Sequence, residues 1–451
     1  MRRSFLSARS ASPWSGASGD TTLEGVMRRD GAWFGARARA TGEHSQGFRP
    51  WRRAGLIGAV TLLAAVVAVP GTHADIPYPD DDPFYTAPIS LGEFENGAIL
   101  NSRPIAVFGL PLPVAGWQLQ YRTTDSAGEA AADVATVLEP PTPWIGPGDR
   151  PLLSYQIAED SLGTRCAPSF ALRGGRDFSI ATTLLDVPFL AEAIHRGWAV
   201  VVSDYEGAQS RFFDGVNSGR GVLDGVRAAK SFAPLGITDA SPLGAWGYSG
   251  GAFATLWAMQ LRASYAPELW FAGVTSGGVP TDLPAVARGV DGSYQAGLAV
   301  LILITLARND SGSGLADTLN AAGHALLARE ADSCGGDLVV HHLFRHLDDY
   351  STVPDLLGSP AFRTATGHQE LGGWGPDVPL YLYHSNSDDV IPSAGFSALV
   401  DRYCELGTTL TAVHSTIPGH NPAALGEALG AMNFLSDRFA GVPVVAGCTV
   451  R

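Results

Sequence analysis

A chain of 451 residues that is 45% hydrophobic and only 16% charged can bury a large core, and it reads as globular rather than disordered. The formal net charge is −14, and the first 74 residues carry ten arginines against four acidic side chains, so 20 basic side chains face 40 acidic ones in the remainder. Such an acidic body excludes recognition of a phosphate backbone, and nucleic acid is not an expected partner.

Residues 1–49 are rich in Arg, Ser, Gly and Ala without sustained apolar periodicity, and they read as a disordered extension or as the product of an upstream start codon, with Met27 as the alternative start. Residues 50–74 read as a secretory signal: Arg52 and Arg53 precede the apolar run from Ala54 to Val69, and Thr72-His73-Ala74 supplies small residues at the third and first positions before a cut. The run has sixteen residues, short of the ~20 needed to span a bilayer, and Pro70 closes it. Cleavage after Ala74 and export are therefore expected, with no transmembrane span left in the mature chain. In an oxidising compartment the four cysteines, Cys166, Cys334, Cys404 and Cys448, are expected to form disulfides, and their wide spacing fits no zinc signature. Three connectivities are open on spacing alone.

The mature body, 75–451, opens with DIPYPDDDPFY, whose prolines and aspartates predict an extended surface segment. Alternating runs at Trp117 and Asp133 read as half-buried strands. The short, nearly continuous apolar runs LLSYQIA, WAVVVSDY, LGAWGYS and PLYLYHS read as strands covered on both faces. Between them lie helical candidates, VPFLAEAIHRG, GVLDGVRAAKSFA and GAFATLWAMQLRASYA. Strands alternating with helices predict an α/β fold with a mostly parallel sheet.

Four glycines crowd one serine in GAWGYSGGAFAT, residues 244–255. A strand enters Ser249 and a helix leaves it, so Gly247-Tyr248-Ser249-Gly250-Gly251 fits G-x-S-x-G in the strand, turn and helix setting that a nucleophile elbow requires. A serine hydroxyl is a weak nucleophile without a base, and the chain order expected here is Ser, then Asp or Glu, then His. Asp388 and Asp389 follow the apolar strand PLYLYHS, and Asp388 is preferred because it ends the turn directly after that strand. His420 sits in a loop past the strand TTLTAVHSTIP, whereas its rival His414 lies within the alternating strand, where a half-buried structural role suffices. The oxyanion donors expected are the N–H of Gly250 and a group in the loop closing WAVVVSDYEG, at Asp204, Tyr205, Glu206 and Gly207.

The motifs GYSGGA, YAPELWFAGVTSGGVPTDL, VVSDYEG, VLDGVRAA, the D-x-V-I-P turn and FLSDRFAGVP together resemble the lipase-A-type secretory lipases of fungi and actinobacteria, over essentially all of 75–451. The resemblance implies an α/β-hydrolase with a helical cap inserted between the serine and aspartate segments, acting on acyl esters that include triacylglycerols. It implies the triad Ser249, Asp388 and His420, with Asp204 as the second oxyanion-hole residue. It also implies the pairings Cys166 with Cys334 and Cys404 with Cys448. The long stretch before the secretion signal departs from the family.

The cap is expected at 281–373, where the very apolar LAVLILITLARND could line an acyl pocket or form ordinary cap core. His342 and His346 have a spacing compatible with zinc, but no glutamate stands beside His342 and no third ligand is evident, so no metal is expected. Gly219-Arg220-Gly221 lacks the strand and third glycine of a dinucleotide site, and no cofactor is implied. Within the same triad, a short-chain carboxylesterase, an acyltransferase and a peptidase stand as alternatives to a lipase. A non-catalytic binding protein would show a broken triad or glycine turn, and neither is present.

Overall fold

The computed structural model describes residues 76–451 apart from Leu112 and residues 176–179. The leader expectations for 1–74 fall outside the described residues.

Ten strands form one sheet among the described residues: β1 Ile99–Ile105, β2 Ala115–Thr124, β3 Ala130–Glu139, β4 Leu152–Gln156, β5 Ala199–Ser203, β6 Leu243–Tyr248, β7 Phe271–Gly277, β8 Leu380–Ser385, β9 Leu410–Ser415 and β10 Cys448–Val450. The helices are α1 Pro168–Leu172, α2 Ile180–His195, α3 Gly215–Ser231, α4 Gly250–Tyr265, α5 Leu283–Val290, α6 Ala296–Asn309, α7 Ala321–Arg329, α8 Gly335–His341, α9 Pro360–Gly367, α10 Ser393–Glu405 and α11 His420–Phe439. Strand order across the sheet is β1-β2-β3-β5-β4-β6-β7-β8-β9-β10. The pairings β1–β2, β2–β3 and β3–β5 are antiparallel, and every pairing from β5 through β10 is parallel. This is the mostly parallel α/β architecture expected from the strand and helix alternation.

Every residue of β4, β5, β6 and β8 is buried, which is why these strands read as unbroken apolar runs rather than as alternations. One face of the sheet packs Val222 and Leu223 of α3, Leu256 and Met259 of α4 and Phe396 of α10. The other face packs Leu190 of α2 and Met432 and Leu435 of α11. Strand β7, FAGVTSG, escaped the sequence pattern because small residues and glycine carry little strand propensity, and its place is set by pairing with β6 and β8.

Helices α5 to α9 lie between β7 and β8 and surround a separate apolar cluster. Asp282 caps α5 by accepting the Ala285 N–H at 2.9 Å, which satisfies one of the unpaired donors at that helix start. In α6, Leu301, Ile302, Leu303, Ile304 and Leu306 are all buried in this cluster, each contributing about 1.5–3 kcal/mol of burial. The apolar run therefore forms core of the insertion, one of the two roles expected for it.

The entry segment departs from expectation. Rather than an extended surface segment, it makes two short 3-10 turns, Pro79–Asp81 and Pro83–Tyr85, with Phe84 buried. Asp82 carries the reason: its carboxylate pairs with Arg103 of β1 at 2.8 Å and with Arg173 at the end of α1 at 3.0 Å, which ties the segment to both.

The disulfides are Cys166–Cys334 and Cys404–Cys448, with Cα–Cα distances of 5.7 Å in both. The first joins the segment before α1 to the start of α8, and the second joins α10 to β10.

Candidate active site

Ser249 ends β6 and starts α4 with φ 55° and ψ −124°, a conformation that L-residues rarely hold and that marks stored strain at a functional turn. Its N–H donates to the Gly277 carbonyl of β7 at 3.0 Å, and its own carbonyl accepts from Ala252 and Phe253 in the first turn of α4. The flanking glycines have a steric cause. A β-carbon on Gly247 would lie 2.2 Å from the Gly251 carbonyl oxygen, and one on Gly251 would lie 2.0 Å from that of Gln156 in β4. Ser249 is partly exposed at the top of the sheet, while its neighbours are buried.

Asp388 and His420 meet. The loop after β8 carries Asp388, whose Oδ2 accepts from His420 Nδ1 at 2.8 Å and whose Oδ1 accepts the N–H groups of Val390 at 2.9 Å and Ile391 at 2.8 Å. Burial pushes the Asp388 carboxyl up, but the His420 bond and the two N–H donors outweigh it, and the net effect holds it below the usual carboxylate range. His420 opens α11, delivered by Gly419 in the left-handed region with φ 86°. Its Cε1 side abuts Gly278, directly after the Gly277 carbonyl that holds Ser249. Nε2, the nitrogen left for a nucleophile's proton, is buried and makes no hydrogen bond among the described residues.

The two rivals have other partners. Asp389 Oδ1 accepts the main-chain N–H of His420 at 2.8 Å, and its Oδ2 accepts from Tyr294 Oη at 2.9 Å. His414 lies in β9, paired in register with His384 of β8, and its ring packs edge-on against Phe396. His384 adds a buried imidazole 3.7 Å from Asp388 Oδ2, with Nε2 placed 3.0 Å from the Ile391 carbonyl oxygen. Burial holds that ring's pKa below the ordinary histidine value.

Asp204, expected as an oxyanion-hole residue, has other partners. Its N–H donates to the Val134 carbonyl of β3 at 2.9 Å, and its carboxylate accepts from the Ser169 N–H at 2.8 Å and from the Ser169 hydroxyl. With its main-chain donor committed to the sheet, Asp204 has none to offer an oxyanion. The group that stands against Gly250 is Asp160, whose Oδ1 lies where a Gly250 β-carbon would come within 2.1 Å of it. Asp160 follows β4, the neighbour of the elbow strand β6, whereas Asp204 follows β5, one strand further away. Asp160 has φ 45°, and its carbonyl accepts the Gly335 N–H at 2.9 Å. Its Oδ1 is buried without a hydrogen-bond partner among the described residues. Burial raises its pKa to about 6, against an opposing pull from His420. The run LLSYQIAED shows a strand followed by this aspartate, but choosing between its loop and the SDYEG loop requires the strand order.

Asp160 borders a buried acidic group. Both carboxyl oxygens of Glu159, one of Glu206 and one of Asp133 are buried without hydrogen-bond partners among the described residues. Burial drives all three well above the ordinary carboxylate range, and it raises Asp204 to about 7.

The spaced histidines of the insertion do not converge. His342 Nε2 lies 3.1 Å from Glu330, and His346 Nδ1 lies 3.0 Å from Asp291. Among the described residues, no cluster of three or more His, Cys, Asp or Glu side chains could hold a metal ion.

An elbow serine and an aspartate–histidine pair thus stand together on this sheet. The family model for secretory lipases matches residues 172–447. The chain belongs to the secretory lipase family. Lipase A of Moesziomyces aphidis is 33% identical over 423 residues, covering 87% of this chain and 90% of that protein. A Mycobacterium tuberculosis protein named as a probable inactive lipase is 34% identical over 374 residues, covering 81% of this chain and 83% of its own length. The solved structure of Candida antarctica lipase A in its closed state superposes with a TM-score of 0.75 at 31% identity, covering 83% of this chain and 89% of that one. As a member of the secretory lipases, this α/β-hydrolase is a carboxylic ester hydrolase. No helix among the described residues is long and apolar enough to cross a membrane.

Proposed function

We propose that this secretory lipase is an exported triacylglycerol lipase working through an acyl-serine intermediate, with Ser249 as nucleophile, His420 as general base and Asp388 as its orienting carboxylate. In the first step Ser249 Oγ bonds to the ester carbonyl carbon while its proton passes to His420 Nε2. The imidazolium then protonates the leaving alcohol as the carbon–oxygen bond breaks. Water repeats the sequence on the acyl-serine, releasing the fatty acid and restoring the hydroxyl. Asp388 keeps the proton on Nδ1, so that Nε2 is free to accept one, and stabilises the cation that forms. The oxyanion is met by the Gly250 N–H and by the Asp160 carboxyl, which donates only in its protonated form.

The observation carrying this reading is the 2.8 Å contact between Asp388 Oδ2 and His420 Nδ1 beside a strained elbow serine. It matters because one relative is named as a probable inactive lipase, so catalysis by this chain rests on its own residues. Ser249→Ala should abolish hydrolysis of a chromogenic ester with the melting temperature preserved; unchanged turnover would refute the assignment. Initial rates across emulsified and soluble esters of increasing acyl length separate a lipase from a short-chain carboxylesterase, with a preference for long emulsified esters expected. Residues 281–373 are assigned as the cap over the site, and residues 50–74 as the export signal. Intact-mass analysis of culture supernatant should find a chain beginning at Asp75.

A further inference from the structure

His420 is gripped at its main chain as well as at its ring. Helix α11 starts at His420, and its first N–H groups have no partners within the helix. Gly419, at the capping position, has no side chain to supply one, and Asp389 does so from the loop after β8, accepting the His420 N–H at 2.8 Å. On the opposite side of the same residue, Tyr248 Oη donates to the His420 carbonyl at 2.6 Å, and the two rings lie 4.9 Å apart. Tyr248 directly precedes Ser249, so a single side chain spans from the nucleophile's own turn to the backbone of the base. The second oxygen of Asp389 accepts from Tyr294, which lies between α5 and α6 and is 54% exposed.

We propose that Tyr248 and Asp389 are positioning residues that fix His420 relative to Ser249, and that Tyr294 transmits the seating of the helical insertion to His420 through Asp389. The proposal rests on His420 being the general base. Its physical content is that the imidazole sits at the end of a main-chain segment with hydrogen bonds on both sides, so loss of either lets the ring drift from the serine. Misplacement of about 1 Å in a catalytic group is enough to cost a hundredfold in rate. The Tyr294 bond lies at the surface, where water competes for both partners, so a small movement of the insertion breaks it and leaves Asp389 with one fixed partner instead of two.

The test uses the mature chain and a soluble chromogenic ester, with kcat, KM and the pH dependence of kcat/KM measured for Tyr248→Phe, Asp389→Ala, Asp389→Asn, Tyr294→Phe and the double variant Tyr294→Phe with Asp389→Ala. Tyr248→Phe and Asp389→Ala should each lower kcat by roughly tenfold to a hundredfold with KM within about twofold, the signature of lost placement rather than lost binding. Asp389→Asn should recover most of that loss, because its amide oxygen still accepts the His420 N–H. Tyr294→Phe should lower kcat by about two- to fivefold in the parent and have no further effect in the Asp389→Ala background, a non-additivity that marks one shared path. Because Tyr294 is exposed and Asp389 lies in a loop, that cycle decides the matter even if Tyr248→Phe does not fold. Full kcat in both Asp389→Ala and Tyr294→Phe, or a Tyr294→Phe effect undiminished in the double variant, overturns the proposal. If Ser249→Ala is inactive while the clamp variants run at full rate, the clamp alone fails; if Ser249→Ala stays active, the triad assignment beneath it fails.

Discussion

Two acidic regions flank the elbow serine, and they are built on opposite terms. On one side, Asp388 is buried yet receives three hydrogen bonds, from His420 and from the N–H groups of Val390 and Ile391, and its pKa is held below the usual range. On the other side, Asp160 and Glu159 are equally buried but have carboxyl oxygens without donors, and burial raises them. The same residue type thus has its pKa lowered in one place and raised in the other by the donors supplied to it. A carboxylate with a lowered pKa suits a partner for an imidazolium, and one raised to about 6 could donate to an oxyanion only below about that pH.

Removing the charge on the Asp388 side should break this contrast most visibly. Asp388→Asn, measured by kcat on a soluble ester with folding checked by melting temperature, should cost about 10⁴-fold, because the amide favours the wrong imidazole tautomer. On the other side, Asp160→Ala should cost about 10²- to 10³-fold in kcat if that carboxyl supplies an oxyanion donor. The pH dependence sharpens the point. With a pKa of about 6, the Asp160 O–H is present below that pH and lost above it, so its contribution to kcat should fade as pH rises through about 6. Asp160→Asn, whose amide donates at every pH, should erase that limb.

The Asp160 side is also held from outside. Its carbonyl is bonded to Gly335, the Leu162 N–H donates to the Ser333 carbonyl at 2.9 Å, and the Cys166–Cys334 disulfide closes a sequence separation of 168 residues beside them. Replacing both cysteines by serine should lower unfolding free energy by about 2–5 kcal/mol in a denaturant titration, and by about 1 kcal/mol more than the same change at Cys404–Cys448, which closes only 44.

The smallest effect concerns stability against pH. Asp186 is buried against Tyr155, and burial raises its pKa to about 7, so its stabilising contribution is complete below the unfolded value of about 3.9 and is lost as pH climbs to about 7. Asp388 has the reverse sign: its contribution is present above about 3.9 and is lost as pH falls through its lowered folded value. The unfolding free energy from denaturant titration should therefore decline between about pH 4 and 7, and Asp186→Asn should flatten that decline by an amount on the order of 1–4 kcal/mol.

Several features were legible locally. Glycines at 247 and 251, a strand before and a helix after, mark the elbow in any context, because steric exclusion at a sharp turn is a property of a few consecutive residues. The choice of Asp388 over Asp389 and of His420 over His414 likewise followed from position relative to a strand end, and the structure joins the first of each pair at 2.8 Å. Asp389, the alternative to Asp388, caps the helix that begins at His420, which only the approach of β8 to α11 reveals.

What the sequence determined by itself is therefore what lives within a turn or at a strand's end: the elbow serine, the aspartate and histidine that meet in the structure and the doubly covered strands. What only the tertiary structure decided is which loops become neighbours. The chain runs β4 before β5, but the sheet places β4 between β5 and β6, so Asp160 reaches the elbow and Asp204 is left one strand away, with its N–H in the β3 ladder. Strand order is set by the packing of helices and crossovers over many residues, a non-local balance that leaves no mark on either loop.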